Sequence, residues 1–202
     1  VNLEGASVNG TITGGTQATG TGNTLNVAGT NSATNIAGFQ KVSFDTAGVA
    51  AGATMLNLGA GTTLERGAID ATGSTVNGGI TLLHNANGIT VNGLAADDNI
   101  LKSEADATKE KNIAAHRTGG NITDIRYEGY QFAGVTTPVI IGTDAYGGIS
   151  KAGNATHTNH ITVNGDYANV YGGHTSGAGT TRDDRDNSYS NTVTITGGTV
   201  TG

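Results

Sequence analysis

Asn159-His160-Ile161-Thr162-Val163-Asn164-Gly165-Asp166 returns 32 residues later as Asn191-Thr192-Val193-Thr194-Ile195-Thr196-Gly197-Gly198. Each copy holds two aliphatic residues separated by one Thr, with Asn before them and Gly after. Alternation with period two turns both aliphatic side chains to one face of a short strand. Val, Ile and Thr suit a pleated surface. Two apolar side chains are too few to hold a hairpin together alone. Such strands must therefore stack on one another and share a core.

The same pattern recurs along the chain. Leu25-Asn26-Val27, Val42-Ser43-Phe44, Leu56-Asn57-Leu58 and Ile89-Thr90-Val91 all have it. The corners repeat too. Val-Asn-Gly stands at 8–10, 76–78, 91–93 and 163–165, and Ile-Thr-Gly-Gly-Thr at 12–16 and 195–199. Tyr-Gly-Gly stands at 146–148 and 171–173, a step of 25. Gly and Asn accept the positive φ of tight corners. Short strands, Gly/Asn corners and an imperfect repeat of 20–30 residues predict an all-β fold, a β-solenoid. At about 22 residues per coil the chain makes about nine coils, stacked about 4.8 Å apart. The competing architecture, an antiparallel sandwich, calls for longer strands and more aromatics.

Composition narrows the functional classes. The chain has 202 residues, 34 of them Gly, with 1 Pro, 0 Cys and a net charge of −6. With 10 Lys+Arg against 16 Asp+Glu, a phosphate-tracking surface for nucleic acid is not expected. No apolar run reaches membrane-spanning length. The absence of Cys removes disulfides, thiolate metal sites and cysteine nucleophiles. The chain starts at Val1 without a leader and reads as one continuous solenoid, 1–202, cut from a longer protein.

Two stretches interrupt the pattern. Residues 97–117 hold nine of the 26 charged residues and 182–186 hold five. Both read as solvated excursions. The Ala, Glu and Lys of 98–116, with Gly119-Gly120 behind them, predict an irregular loop or a short helix.

Candidate chemistry is sparse. His157 and His160 lie three apart, with His174 a coil later, but ordered third and fourth metal ligands are missing. Asp183, Asp184 and Asp186 lack the alternation and terminal Glu of a calcium loop, and Ile122 breaks a β-roll nonapeptide at Gly119–Asp124. No Gly-x-Ser-x-Gly elbow occurs, and no pair of carboxylates is marked out for glycoside hydrolysis. No metal or cofactor is expected, and no catalysis. The Thr-x-Thr pieces are too sporadic for an ice-binding array. Tyr146 and Tyr171, at equivalent repeat positions, predict a coil-on-coil stack.

Asn169-Val170-Tyr171-Gly172-Gly173, followed by Asn191 to Val200, resembles the degenerate repeats of large autotransporter adhesins from Gram-negative bacteria. Phe39-Gln40-Lys41-Val42-Ser43-Phe44, followed by Gly52-Ala53-Thr54-Met55-Leu56-Asn57-Leu58, is similar to another passenger segment of that family, with Ala53 where Asp is usual. The resemblance implies a right-handed parallel β-helix, exported and displayed at the cell surface, anchored by an outer-membrane barrel that lies outside these residues. It implies a non-enzymatic adhesin that binds a host or bacterial cell-surface protein or glycan, or itself. A self-associating module for aggregation, a carbohydrate-active solenoid enzyme and a plain spacer are the alternatives. Loops on a rigid scaffold often carry binding. Contacts are accordingly expected in 97–117 and 182–189, at Asp183, Asp184, Arg185, Asp186 and Tyr189.

Overall fold

A computed structural model describes residues 1–15, 22–73, 79–176 and 188–202. The chain is nearly all β, wound as a β-solenoid of about 7 turns. It gathers into two compact units, Val1–Lys102 with Asn112–Gly129, and Ser103–Lys111 with Tyr130–Gly202.

The first unit is built of paired short strands. β1 (Asn2–Glu4), β2 (Ser7–Thr13), β3 (Thr24–Ala28), β4 (Asn31–Ala37), β5 (Lys41–Asp45), β6 (Thr54–Leu58), β7 (Thr62–Glu65), β8 (Ile69–Thr72) and β9 (Ile80–Asn92) follow in order. One sheet runs β1-β3-β5-β8, all parallel. The other runs β2-β4-β6-β9, also parallel, with β7 beside the far half of β9. The alternation read from sequence lands in register: Leu25 lies over Val42 and Val42 over Ile69, while Val27 lies over Phe44 and Phe44 over Ala71. Leu25, Phe44, Met55, Leu56, Ile80 and Leu82 are fully buried. Each such side chain contributes about 1.5–3 kcal/mol by leaving water.

The charged stretch at 97–117 is neither a helix nor an irregular loop, although residues 102–109 are exposed to solvent as expected. It forms β10 (Ile100–Ala105) and β11 (Lys109–Thr118), and β12 (Asn121–Gln131) follows. These three extend the second sheet beyond β9, and β12 runs antiparallel to β9 with Ile125 opposite Leu83. The turn chemistry explains the difference. The Asp106 carboxylate accepts the backbone N–H groups of Thr108 at 2.7 Å and Lys109 at 2.8 Å, closing the β10–β11 turn. Gly119 and Gly120 sit at φ +58° and +87°. Two positive-φ residues in succession make a tight hairpin turn rather than a helix stop. Leu101, Ile113, Ala115, Ile122 and Ile125 are buried in the core of the first unit. Tertiary burial outweighs the weak helix propensity of Ala, Glu and Lys. These antiparallel strands, with a step of 17 residues from β3 to β5 but of 24 and more at the other parallel pairs, bring the winding to about 7 turns rather than nine.

The second unit holds the tip of that hairpin and the coils that follow. Glu110 is buried there and accepts hydrogen bonds from Ser150 Oγ at 2.7 Å, Lys151 N at 2.7 Å, Ala152 N at 3.2 Å and Asn154 Nδ2 at 2.6 Å. A buried carboxylate persists only with such a set of donors. β13 (Val139–Ile141), β14 (Asp144–Ser150), β15 (His160–Asn164), β16 (Val170–Thr175) and β17 (Thr192–Gly197) complete the unit. β14 pairs with β16 in parallel, Tyr146 opposite Tyr171 and Gly148 opposite Gly173. β15 pairs with β17 in parallel, Ile161 opposite Val193 and Val163 opposite Ile195. Both repeats recognised in the sequence are thus adjacent rungs. The Tyr-Gly-Gly glycines serve close approach rather than a corner: a Cβ on Gly147 would run into the Gly172 carbonyl, and one on Gly148 into the Phe132 carbonyl.

Candidate binding site

The Asn that opens each repeat anchors the site. Asn159 is fully buried; its Oδ1 accepts from Val135 N at 2.9 Å and its Nδ2 donates to Asn191 Oδ1 at 2.9 Å. Asn191 in turn donates to the Thr156 carbonyl at 3.1 Å and to Ser188 Oγ at 2.6 Å. Two residues before each Asn stands a ring. His157 bridges Ala133 on one side and Tyr189 on the other, as parallel rungs. Gly134, Thr158 and Ser190 follow these positions with φ of +67°, +56° and +53°. The same left-handed corner is therefore kept in three successive coils, at a cost in the two non-glycine cases.

This corner stacks rings. His157 and Tyr189 lie face to face, with centroids 5.0 Å apart and planes at 5°, and Phe132 approaches His157 at 6.4 Å. A second ladder stands beside the first. Tyr146 and Tyr171 stack at 5.0 Å and 14°, the coil-on-coil arrangement expected from their spacing. His174 packs against both, at 5.7 Å and 5.8 Å. Burial, then the nearby Lys151 charge, holds the His174 imidazole below its ordinary pKa. Burial, then Asp144, pushes the Tyr146 phenol up.

The ladders border one open groove of about 550 Å³. Tyr171 and Tyr189 flank it, Gly172 and Gly173 form part of its wall, and Ser188, Ser190 and Asn191 supply polar atoms. Each Tyr stacks one face on a ring of the preceding coil. Tyr189 remains 54% exposed. No acid or base lines the groove among the described residues. A flat apolar face beside hydroxyl and amide groups suits recognition of an amphipathic or hydroxyl-rich surface.

Of the contacts expected from sequence, Tyr189 belongs to this groove. Asp183, Asp184, Arg185 and Asp186 lie outside the described residues. Sequence reasoning passed over the ring ladder of Phe132, His157 and Tyr189, whose members differ in type. The available signal was the shared offset of His157 and Tyr189 from Asn159 and Asn191. His157 and His160 do not converge: His157 is taken by its stack and a 3.1 Å contact to Thr158 Oγ1, and His160 is exposed. Among the described residues no three His, Cys, Asp or Glu gather as a metal site. In the first unit, His84 meets Asp124 at 2.7 Å and His116 meets Glu128 at 2.6 Å, two imidazole–carboxylate pairs. Asp70 bridges Lys102 and Lys41 at 3.0 Å and 3.1 Å, and the Lys102 hydrogen bond leads the interactions that lower its pKa. Among the described residues no helix is long and apolar enough to cross a membrane.

No protein-family model, curated protein or solved structure matches the chain.

Proposed function

We propose that this chain is a piece of an exported bacterial surface adhesin, a non-catalytic β-solenoid that attaches cells to a host or bacterial cell-surface protein or glycan. One observation carries the reading. The segments that resemble autotransporter passengers, Tyr171-Gly172-Gly173 and Asn191 to Gly198, are stacked rungs on their repeat partners, an arrangement consistent with the coils of such a passenger. A fold of this kind needs only nearest-neighbour contacts and can form as a chain emerges from a secretion pore. The net charge of −6 speaks against nucleic acid as the partner. In this reading the parent protein is held at the outer membrane by a separate barrel. The groove at Tyr189 and the 182–186 segment make the contacts.

The test is attachment of chain-coated beads to epithelial cells and to Gram-negative bacteria. Binding is expected, with a loss on Tyr189→Ala and on deletion of 182–186 while circular dichroism stays unchanged. Attachment that ignores both changes removes the assigned contacts. Beads that bind no cell, or turnover of a polysaccharide by the chain, overturn the reading.

A further inference from the structure

The donors that meet the buried Glu110 carboxylate come from one short segment, 150–154, at the end of β14. Lys151 N and Ala152 N are consecutive backbone donors, and both meet Oε1, at 2.7 Å and 3.2 Å. Ser150 Oγ and Asn154 Nδ2 both meet Oε2, at 2.7 Å and 2.6 Å. Consecutive N–H groups that point into a concave turn form a nest, an anion site made by the backbone itself. Here two side-chain donors complete it, so that each carboxylate oxygen accepts a pair of hydrogen bonds.

The shape of this segment is held by bonds that do not involve Glu110. Asn154 N donates to Ser150 Oγ at 2.8 Å, and Thr175 Oγ1 donates to the Asn154 carbonyl at 3.0 Å. Ser176 N donates to the Ser150 carbonyl at 2.8 Å, and Gly153 N to the Ser176 carbonyl at 3.1 Å. Gly153 turns the chain with φ +84°, and Ser150 is a parallel rung on Thr175. The carboxylate itself arrives from 40 to 44 residues away, on the hairpin between β10 and β11. There residues 103–109 are exposed, whereas Glu110 is buried. Donors fixed by the neighbouring coil, and an acid carried to them on an exposed hairpin, stand as receptor and ligand.

We propose that the 150–154 segment is a carboxylate-binding site, which Glu110 occupies as a ligand tethered in the same chain. Withdrawal of that side chain leaves a socket that takes a small carboxylate from solution. The tether gives Glu110 a high effective concentration, so the intact chain excludes free acid. The donor set selects the ligand class. A carboxylate is acceptor-only through both oxygens, whereas a neutral amide would turn its NH₂ donors against donors. The site goes beyond attachment to cells and does not depend on that reading.

Glu110→Ala removes a group the size of acetate and leaves the donors in place. The variant is titrated with sodium acetate at neutral pH, with sodium chloride making up a constant ionic strength. Its urea midpoint is expected to rise and saturate with acetate, and the Lys151 and Ala152 amides to exchange more slowly. Acetamide is expected to do neither, and the unsubstituted chain to respond to acetate no more than to chloride. Adding Ser150→Ala to Glu110→Ala is expected to weaken the acetate response. Identical midpoints and exchange rates in acetate and chloride overturn the proposal, as does an equal response to acetamide or an equal response in the unsubstituted chain. Should Glu110→Ala unfold in buffer, recovery of the β circular dichroism in acetate but not in acetamide is the expected result, and no recovery in acetate overturns the proposal.

Discussion

Replacing Ile161 with Ala tests whether the core of the second unit is layered. Ile161 is 1% exposed and lies in register with Val193, in a cluster whose other buried members are Val135, Ala145 and Val163. The substitution deletes three carbons, about 2.4 kcal/mol at roughly 0.8 kcal/mol per CH₂. Val135, Val163 and Val193 are β-branched and stiff at χ1, so they fill the gap poorly. A residual cavity adds about 1 kcal/mol, for a total of about 3 kcal/mol. That corresponds to a change on the order of a hundredfold in the opening equilibrium. Hydrogen exchange read by mass spectrometry resolves where the change falls. Amides of β15, β16 and β17 should exchange faster by that factor, while those of β3 and β5 keep their rates, since their ladder partners lie in the first unit. A loss under about 1 kcal/mol, or equal acceleration in β3 and β5, would refute the layered account.

Further consequences are open to measurement. Gly148→Ala pushes a methyl into the Phe132 carbonyl and should cost about 3 kcal/mol in a urea titration, the upper part of the overpacking range; an unchanged midpoint would contradict the close approach. Glu110→Gln puts an amide where four donors converge and should cost about 3 kcal/mol, with rapid exchange confined to residues 150–154 as its signature. For His174 the folded pKa lies below the unfolded value of about 6.5. The unfolded chain then takes up the proton first, so stability is full above about pH 6.5, declines as pH falls through the folded pKa, and levels off below it. His174→Phe should flatten that decline between pH 7 and 5, and an identical slope in both proteins would exclude His174 as its source. Lys102→Ala should cost less than about 1 kcal/mol, since its pair with Asp70 is half exposed, and the cost should vanish in high salt.

The solenoid was legible because adjacent rungs repeat one another: Tyr146-Gly-Gly over Tyr171-Gly-Gly, and Ile161-Thr-Val under Val193-Thr-Ile. Parallel in-register stacking rewards like on like, and that reward writes itself into a periodic sequence. The hairpins at 100–131 were not legible for the opposite reason. Antiparallel partners need not resemble each other, and the burial of Glu110 depends on donors 40 to 44 residues away. Those donors are two backbone N–H groups and two short side chains, with no local mark in the sequence. The groove was half legible. Tyr189 is legible as an aromatic beside a polar segment, but its stack on His157 is not, because a His–Tyr pair has no repeat of type to announce it.

The Tyr146-on-Tyr171 rung has a consequence for how such a protein changes over generations. Two rungs 25 residues apart offer each other interchangeable hydrogen-bonding edges and matching ring faces. Duplication or loss of a gene segment encoding one whole coil would leave every remaining rung with a fitting neighbour. Length can therefore drift in steps of a coil under weak selection, whereas a deletion of a few residues inside a rung would be purged at once.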